Sequence, residues 1–228
     1  MPMSRRIPSR SRMRPILVLL SLGFLAGCND TENGLSNKNP GLNDRNVAVA
    51  FGDSITMGNR CSCAPYPARL SPMIGKTVYN AGINGTMVRE NVGRAQAVIT
   101  RYRPAFMLIL YGVNDHIHGK GATGSLAALS QIALICKQNN VVPVLATYPI
   151  PFGSHGAFAA GTRGLNTGIR DLAKTQGIKC VDLEKEFASD SSPGPGGVVT
   201  DPRLMEADGL HPNEAGTQLM ALAFADLF

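Results

Sequence analysis

Acidic residues are absent from the first 29 positions of this sequence, although the whole chain carries a formal charge of +6. Five arginines lie in that stretch, at positions 5, 6, 10, 12 and 14, which leaves 17 of the 22 basic residues against all 16 acidic residues in the rest of the chain. The basic character therefore belongs to the N-terminus. Because the remainder shows no basic stripe interleaved with aromatic residues, we expect no nucleic-acid partner.

A hydrophobic run long enough to cross a bilayer is also missing. Residues 16–26 form an apolar stretch of only 11 residues, whereas a spanning helix needs about 20. An arginine-rich start before a short apolar stretch predicts a secretory signal peptide over residues 1–27. The sequence LAGC at 25–28 resembles the lipobox of bacterial lipoproteins, which implies lipidation of Cys28, export, and anchoring to a membrane of the cell envelope. Asn29 after the cysteine favours the outer membrane where there are two, and an ordinary cleaved signal peptide is the alternative.

Large apolar residues are scarce again between residues 28 and 45, where Asn, Asp and Gly predominate. Such a segment cannot bury enough surface to offset its chain entropy, so it is predicted to be a flexible tether that follows the lipidated cysteine. The folded domain is then expected over residues 46–228.

Cysteines are few, and their spacing does not suit a metal site. Besides Cys28, the chain has Cys61, Cys63, Cys136 and Cys180. A structural zinc site needs four ligands in paired spacing, and the only close pair is a C-x-C without a matching partner. In an oxidising compartment the four cysteines are able to form two disulfides with three possible connectivities, so the pairing stays open. We expect no metal and no organic cofactor.

The domain alternates short apolar runs with longer segments of helical periodicity. Strands are predicted at 47–51, 77–79, 106–111, 141–147 and 178–181. Helices are predicted at 66–74, 87–102, 124–139, 164–176 and 213–227. Nearly continuous apolar runs are typical of parallel strands covered on both faces. The pattern predicts a three-layer α/β/α sandwich around a doubly wound, flavodoxin-like parallel sheet of about five strands.

Polar motifs stand at the ends of these strands. Strand one ends in the sequence GDS at 52–54, strand two in YNAGINGTM at 79–87, and strand three in YGVND at 111–115. The sequence DGLHP at 208–212 precedes the last helix. Because ligands of such sheets bind outside the carboxyl ends of the strands, these motifs are expected to meet at one rim. Acyl transfer needs the residue types they supply, namely a nucleophile, a base, an orienting carboxylate and donors for an oxyanion.

These four motifs, in this order over residues 47–215, resemble those of the SGNH (GDSL) hydrolase family. The resemblance implies the SGNH hydrolase fold, with Ser54 as the nucleophile and Asp208 and His211 completing a catalytic triad. It also implies an oxyanion hole built from Ser54, Gly85 and Asn114, with Gly82 as the less favoured register for the glycine. Thr86 departs from the family pattern, because many members have an acidic residue there.

The roles also follow from chemistry. A serine hydroxyl is a poor nucleophile at neutral pH, so Ser54 needs His211 to take its proton, and Asp208 to orient the imidazole. Asp53, Asp115 and Asn80 are expected to be structural, because short polar side chains beside sharp turns bond to nearby backbone groups. The other histidines, His116, His118 and His155, are expected to be solvated loop residues or substrate contacts rather than the base.

The sequence therefore predicts a serine hydrolase of carboxylic esters that works through an acyl-enzyme, as a lipase, acylhydrolase, thioesterase or lysophospholipase. A nucleophile elbow of the α/β-hydrolase type is excluded because position 56 is Thr, and no dinucleotide-binding glycine motif follows the first strand. Two alternatives stay open, a carbohydrate O-acetylesterase of the same fold and a non-catalytic binding module. The lack of tryptophan weakens the carbohydrate alternative, although Tyr and Phe can also stack on sugars.

Overall fold

The computed structural model describes residues 34–189 and 197–228. The predicted signal peptide and Cys28 lie outside the described residues, as does the middle of the Pro- and Gly-rich loop at 189–203. No helix within the described ranges combines the length and apolarity that crossing a bilayer requires.

The centre of the domain is a five-stranded parallel sheet. Its strands are β1 (Asp44–Gly52), β2 (Thr77–Gly82), β3 (Pro104–Leu110), β4 (Val142–Ala146) and β5 (Lys179–Val181). Their order is β2-β1-β3-β4-β5, and every neighbouring pair is parallel. This is the flavodoxin-like order, so the predicted fold class and number of strands are confirmed.

The burial of each strand explains its place in the sheet. All seven residues of β3 are buried, as are the last six residues of β1. Both are nearly continuous apolar runs, which suits central strands covered by helices on both faces. β2 is partly exposed along its length and forms one edge.

The helices that surround the sheet fall into two groups. They are α1 (Ser54–Met57), α2 (Tyr66–Ile74), α3 (Val92–Tyr102), α4 (Val113–Ile117), α5 (Ala122–Gln138), α6 (Ala159–Gln176), α7 (Leu183–Glu186) and α8 (Glu214–Ala225). Short 3-10 turns occur at Val88–Glu90, Gly153–Phe158 and Pro202–Leu204. α2 packs against α8, whereas α3 packs on α5 and α5 on α6, which gives the two outer layers of the sandwich.

Four of the five predicted helices have different limits in the structure, and two of them differ by more than two residues. The helix predicted at 87–102 is interrupted at Asn91, so that a 3-10 turn precedes α3. The helix predicted at 164–176 begins earlier, at Ala159. The short helices α1, α4 and α7 were not predicted, because four or five residues are too few for a periodic apolar pattern.

Residues 34–43, from the segment predicted to be a flexible tether, lie against the domain. The side chain of Asn37 donates hydrogen bonds to the carbonyl oxygens of Ala105 (3.0 Å) and Asn140 (2.7 Å), which lie near the amino ends of β3 and β4. Leu35 donates a backbone hydrogen bond to Leu227 and packs on the core. The predicted tether is therefore in contact with the domain from residue 34 onwards, and β1 begins two residues before the predicted domain boundary.

The register of the sheet brings three motif loops to one level. Gly52, the last residue of β1, aligns with Gly82 at the end of β2 and with Leu110 at the end of β3. Because these strands are neighbours and parallel, the loops that follow them emerge side by side at the same rim.

Candidate active site

Ser54 lies at the point where β1 turns into α1. Asp53 caps this helix, since its Oδ1 accepts a hydrogen bond from the Ile55 N–H at 3.0 Å. Gly58 ends the helix after a single turn with a φ of +87°. Within the described part of the chain, the N–H of Ser54 donates to no other group. The strand therefore ends by presenting both a hydroxyl and a free N–H at the rim.

His211 and Asp208 complete a chain of hydrogen bonds to this hydroxyl. Nε2 of His211 lies 3.0 Å from Oγ of Ser54, and Nδ1 of His211 lies 2.7 Å from Oδ2 of Asp208. An ionised carboxylate can only accept, so Nδ1 carries the proton and Nε2 is left to accept from the serine hydroxyl. Ser54 and His211 are each 7% exposed, so the pair is largely shielded from bulk water.

The backbone holds Asp208 in its charged form. Burial alone would raise its pKa, but its Oδ1 accepts hydrogen bonds from the N–H groups of Leu210 (2.9 Å) and His211 (3.0 Å). Together with the His211 ring, these donors lower the pKa of Asp208 below its usual value. Its carboxylate therefore stays ionised at neutral pH, where it can orient the imidazole.

The structure distinguishes the two glycines of the second motif, Gly82 and Gly85, as candidates for the oxyanion donor. The N–H of Gly82 is engaged, because it donates to Oδ1 of Asn80 at 2.9 Å. Within the described residues the N–H of Gly85 has no acceptor. Gly85 has a φ of +68°, and a Cβ there would meet no protein atom within 4 Å. The backbone conformation, rather than crowding by the protein, accounts for a glycine at position 85.

Asn114 is the second residue of α4 and is 7% exposed. Its amide nitrogen donates to the carbonyl oxygen of Thr86 at 3.1 Å. This bond uses one of the two N–H groups of the amide. The motif after β3 is thereby attached directly to the motif after β2.

Three residues predicted to be structural make the expected contacts. Asn80 donates to the carbonyl oxygen of Thr56 at 2.9 Å, which ties the second loop to α1. Asp115 accepts from the N–H of Val88 at 2.8 Å and from Nε of Arg89 at 3.1 Å. With the capping role of Asp53, these contacts confirm the structural predictions.

The other three histidines contact different groups. Nδ1 of His118 lies 2.7 Å from the carbonyl oxygen of Asn114, and the ring of His116 meets the ring of Phe158 edge-on at 6.0 Å. Nδ1 of His155 lies 2.8 Å from the main-chain carbonyl oxygen of Asp208. In the part of the chain that the structure describes, none of these rings hydrogen-bonds to the Ser54 hydroxyl.

Tyr148 was not identified from the sequence. Its hydroxyl donates to Oδ2 of Asp53 at 2.7 Å, and both side chains are buried. Burial raises the pKa of Asp53 to about 6, although the bonds from Tyr148 and from the Ile55 N–H act in the opposite direction. A tyrosine just beyond a strand carries no local pattern that would reveal a partner 95 positions away. Only the position at the carboxyl end of β4 could have suggested it.

One disulfide forms among the four cysteines that the structure describes. Cys61 is bonded to Cys63, and Cys136 and Cys180 are free. Among the described cysteines the pairing is thus Cys61–Cys63 alone, and the buried thiol of Cys136 contacts the sulfur of Met107 at 3.5 Å. Across residues 34–189 and 197–228, no group of three or more His, Cys, Asp or Glu side chains is arranged to hold a metal ion.

An α/β/α sandwich with a serine, a histidine and an aspartate in hydrogen-bonded sequence beyond its strands suits a hydrolase with a serine nucleophile. The chain belongs to the GDSL-like lipase/acylhydrolase family, whose model matches residues 50–219. This membership confirms the resemblance to the SGNH (GDSL) hydrolases noted in the sequence.

Individual relatives agree with this membership. The chain is 25% identical over 210 residues to the thioesterase 1/protease 1/lysophospholipase L1 of Escherichia coli K12, an alignment that covers 91% of this chain and 87% of that protein. A lipolytic protein of the G-D-S-L family from Veillonella parvula has a similar structure, with a TM-score of 0.67, 19% identity, and coverage of 80% of this chain and 97% of that one. A catalytic mutant of an acetylxylan esterase from Geobacillus stearothermophilus has a TM-score of 0.66 and 19% identity over 82% of this chain and 95% of that one. At this identity the two structures show a shared fold.

Proposed function

We propose that this hydrolase cleaves acyl esters or thioesters through an acyl-enzyme on Ser54. The observation that carries the proposal is the chain of contacts from the Ser54 hydroxyl through the His211 ring to the Asp208 carboxylate. Both distances, 3.0 Å and 2.7 Å, are those of hydrogen bonds, and the first joins Ser54 to His211, 157 positions further along the chain.

The reaction proceeds in two halves. In the first, the Ser54 oxygen attacks the ester carbonyl carbon while its proton passes to Nε2 of His211, and His211 then returns this proton to the departing alcohol or thiol. In the second, water attacks the acyl carbon while its proton passes to Nε2 of His211, and His211 then returns this proton to the Ser54 oxygen as the acyl group leaves as a carboxylic acid. The ionised Asp208 stabilises the imidazolium in both halves.

An oxyanion hole formed by the N–H groups of Ser54 and Gly85 and the amide of Asn114 is part of the proposal. The free N–H groups of Ser54 and Gly85 support it, as does the second amide proton of Asn114. Donors that are already aligned stabilise the negative charge of the tetrahedral intermediate without reorganisation, and each is worth on the order of 3 kcal/mol of barrier.

Exposed apolar side chains beside the serine favour an apolar acyl group. Met57, at the end of the helix that begins with Ser54, is 48% exposed, and Ile83, two residues before Gly85, is 41% exposed. Large apolar side chains that stay exposed beside a reactive group suit an acyl chain better than a sugar ring. A relative named as a thioesterase and lysophospholipase points the same way.

A fluorophosphonate probe tests the nucleophile directly. We expect it to label the wild-type protein but not Ser54→Ala, while Ser62→Ala, which removes an exposed serine eight positions away, should label normally. A folded wild-type protein that neither reacts with the probe nor hydrolyses esters would support the binding-module alternative. Rates on p-nitrophenyl esters from acetyl to dodecanoyl, compared with acetate release from acetylated xylan, then separate acyl esters from glycan esters.

We further propose that the protein is exported and held at the envelope by lipid on Cys28. The lipobox-like sequence at 25–28 supports this, and the Cys61–Cys63 disulfide suits an oxidising compartment. Expression in a bacterial host fed an alkyne fatty acid should label the wild type and leave Cys28→Ser unlabelled. Equal labelling of both proteins would refute the anchor without affecting the proposed chemistry.

A further inference from the structure

Thr86 joins the two loops that carry the proposed oxyanion donors. Its hydroxyl donates to the carbonyl oxygen of Ile83 at 2.9 Å and also contacts the hydroxyl of Tyr111. Its own carbonyl oxygen accepts from the Asn114 amide at 3.1 Å. Thr86 directly follows Gly85, and Tyr111 lies three residues before Asn114. One residue thus contacts both donor-bearing loops.

The direction of these hydrogen bonds follows from the number of protons. A threonine hydroxyl has one proton, and Thr86 gives it to Ile83. The Tyr111 hydroxyl must therefore donate to the Thr86 oxygen. Tyr111 is fully buried, and burial raises its pKa, so its proton stays in place at neutral pH. The result is a directed chain from Tyr111 through Thr86 to Ile83.

Gly85 needs such a support because little else holds it. Its N–H is free within the described chain, and no protein atom lies within 4 Å of where a Cβ would be. Glycine has the widest choice of backbone conformations, so an unsupported Gly85 would sample orientations in which its N–H points away from the oxyanion. A donor contributes fully only when it is aligned before the reaction.

We propose that Thr86, held by the Tyr111 hydroxyl, is a positioning residue that fixes the Gly85 N–H and the Asn114 amide relative to each other. This inference rests on the proposed function, because it assumes that those two groups stabilise the oxyanion. It also explains how the chain manages without the acidic residue that many family members have at position 86, since the threonine has its own buried partner.

Two substitutions remove the contact between the Thr86 and Tyr111 hydroxyls, and Thr86→Val also removes the hydrogen bond to Ile83. Thr86→Val keeps the branched shape and the carbonyl that binds Asn114, and Tyr111→Phe removes only the hydroxyl that reaches Thr86. Losing a whole oxyanion donor costs about 100- to 1,000-fold in kcat, and misaligned donors should cost less. We expect kcat to fall about 10-fold in Thr86→Val, with KM changed less than twofold. Because Thr86→Val already removes the contact with Tyr111, the double variant should be no slower than Thr86→Val alone.

A spectroscopic measurement separates positioning from general damage. In the isotope-edited infrared spectrum of the acyl-enzyme, the carbonyl band should move to higher frequency in both variants, because the carbonyl is more weakly hydrogen-bonded. Thr86→Ser should restore the band and the rate. Thr100→Val is the matched control. The Thr100 hydroxyl bonds only to the backbone and the side chain of Gln96, and both residues lie in α3, outside the two loops that carry the donors.

The outcomes are distinct. If Tyr111→Phe and Thr86→Val keep the wild-type kcat and carbonyl band, the positioning role is refuted. Should Thr86→Val fail to fold, Tyr111→Phe alone decides the matter by the same two measurements. If Ser54→Ala still hydrolyses esters, the proposed function fails before this inference is reached. An inactive Ser54→Ala beside a fully active Thr86→Val overturns only the inference.

Discussion

Replacing Tyr148 by Phe should destabilise the protein in a pH-dependent way. The change removes the hydroxyl that donates to the buried Oδ2 of Asp53 at 2.7 Å and leaves the rest of the ring in place. A hydrogen bond to a charged group is worth about 1.5–3 kcal/mol. The stability lost at high pH should be near the upper end of this range. Asp53 is fully buried, so no water can take the place of the missing hydroxyl.

The sign of the pH dependence follows from the carboxyl group of Asp53. Its pKa is about 6 in the folded protein against 3.8 for the free side chain, so its contribution to stability is greatest below pH 3.8 and declines as pH rises through 6. The Tyr148 bond lowers that pKa, so Tyr148→Phe should raise it further. Each further increase of one in the pKa of Asp53 adds about 1.4 kcal/mol to the destabilisation at pH 8. It adds little at pH 5, where Asp53 is mostly protonated.

The assay is urea unfolding of the wild type and Tyr148→Phe at pH 5 and pH 8. Other groups titrate equally in both proteins and cancel in the difference. The titratable side chains around Asp53 are Tyr148, Tyr66, Tyr111 and Asp115. Tyr66→Phe is the matched control, because the buried Tyr66 hydroxyl meets the neutral Thr56 hydroxyl rather than a carboxylate, so the effect of its loss should be the same at both pH values. An equal destabilisation by Tyr148→Phe at pH 5 and pH 8 would refute the reasoning.

Three further substitutions test the site. Asp208→Asn should lower kcat on the order of 10,000-fold, because an amide donor facing Nδ1 of His211 favours the wrong tautomer; a kcat within tenfold of wild type would contradict the triad. Asn114→Ala should lower kcat about 100- to 1,000-fold with KM little changed, and a loss confined to KM would argue for ground-state binding instead. Gly82→Ala would place a Cβ 2.4 Å from the backbone nitrogen of Met57, so urea unfolding should show a loss of about 1–3 kcal/mol; unchanged stability would show that α1 can shift freely.

The sequence predicts the sheet well because burial on both faces leaves a simple signal. The apolar run at 47–51 lies within β1, the run at 106–111 overlaps β3 over residues 106–110, and the helix predicted at 66–74 has the observed limits. Motifs at strand ends located Ser54, and the sheet register explains why its neighbours converge there. Short sequence patterns suffice where a residue's role is set by its own strand and turn.

Contacts that depend on partners far along the chain could not be predicted in this way. Nothing in the local sequence distinguishes Tyr148 or Thr86 from other polar residues, since each acquires its role from a side chain on another loop. The segment at 34–43 also makes contacts that its composition does not predict. Its composition is that of a flexible chain, but Asn37 finds two backbone acceptors on the domain that composition cannot reveal.

Under the proposed anchoring, the docked segment limits how far the enzyme reaches from the membrane. If lipid is attached at Cys28, only residues 29–33 separate it from the first residue held against the domain. A fully extended link of that size spans about 20 Å, roughly half the diameter of a folded unit of this length. The enzyme would then reach only substrates close to the membrane that holds it. Substrates deeper in the envelope would have to diffuse to it.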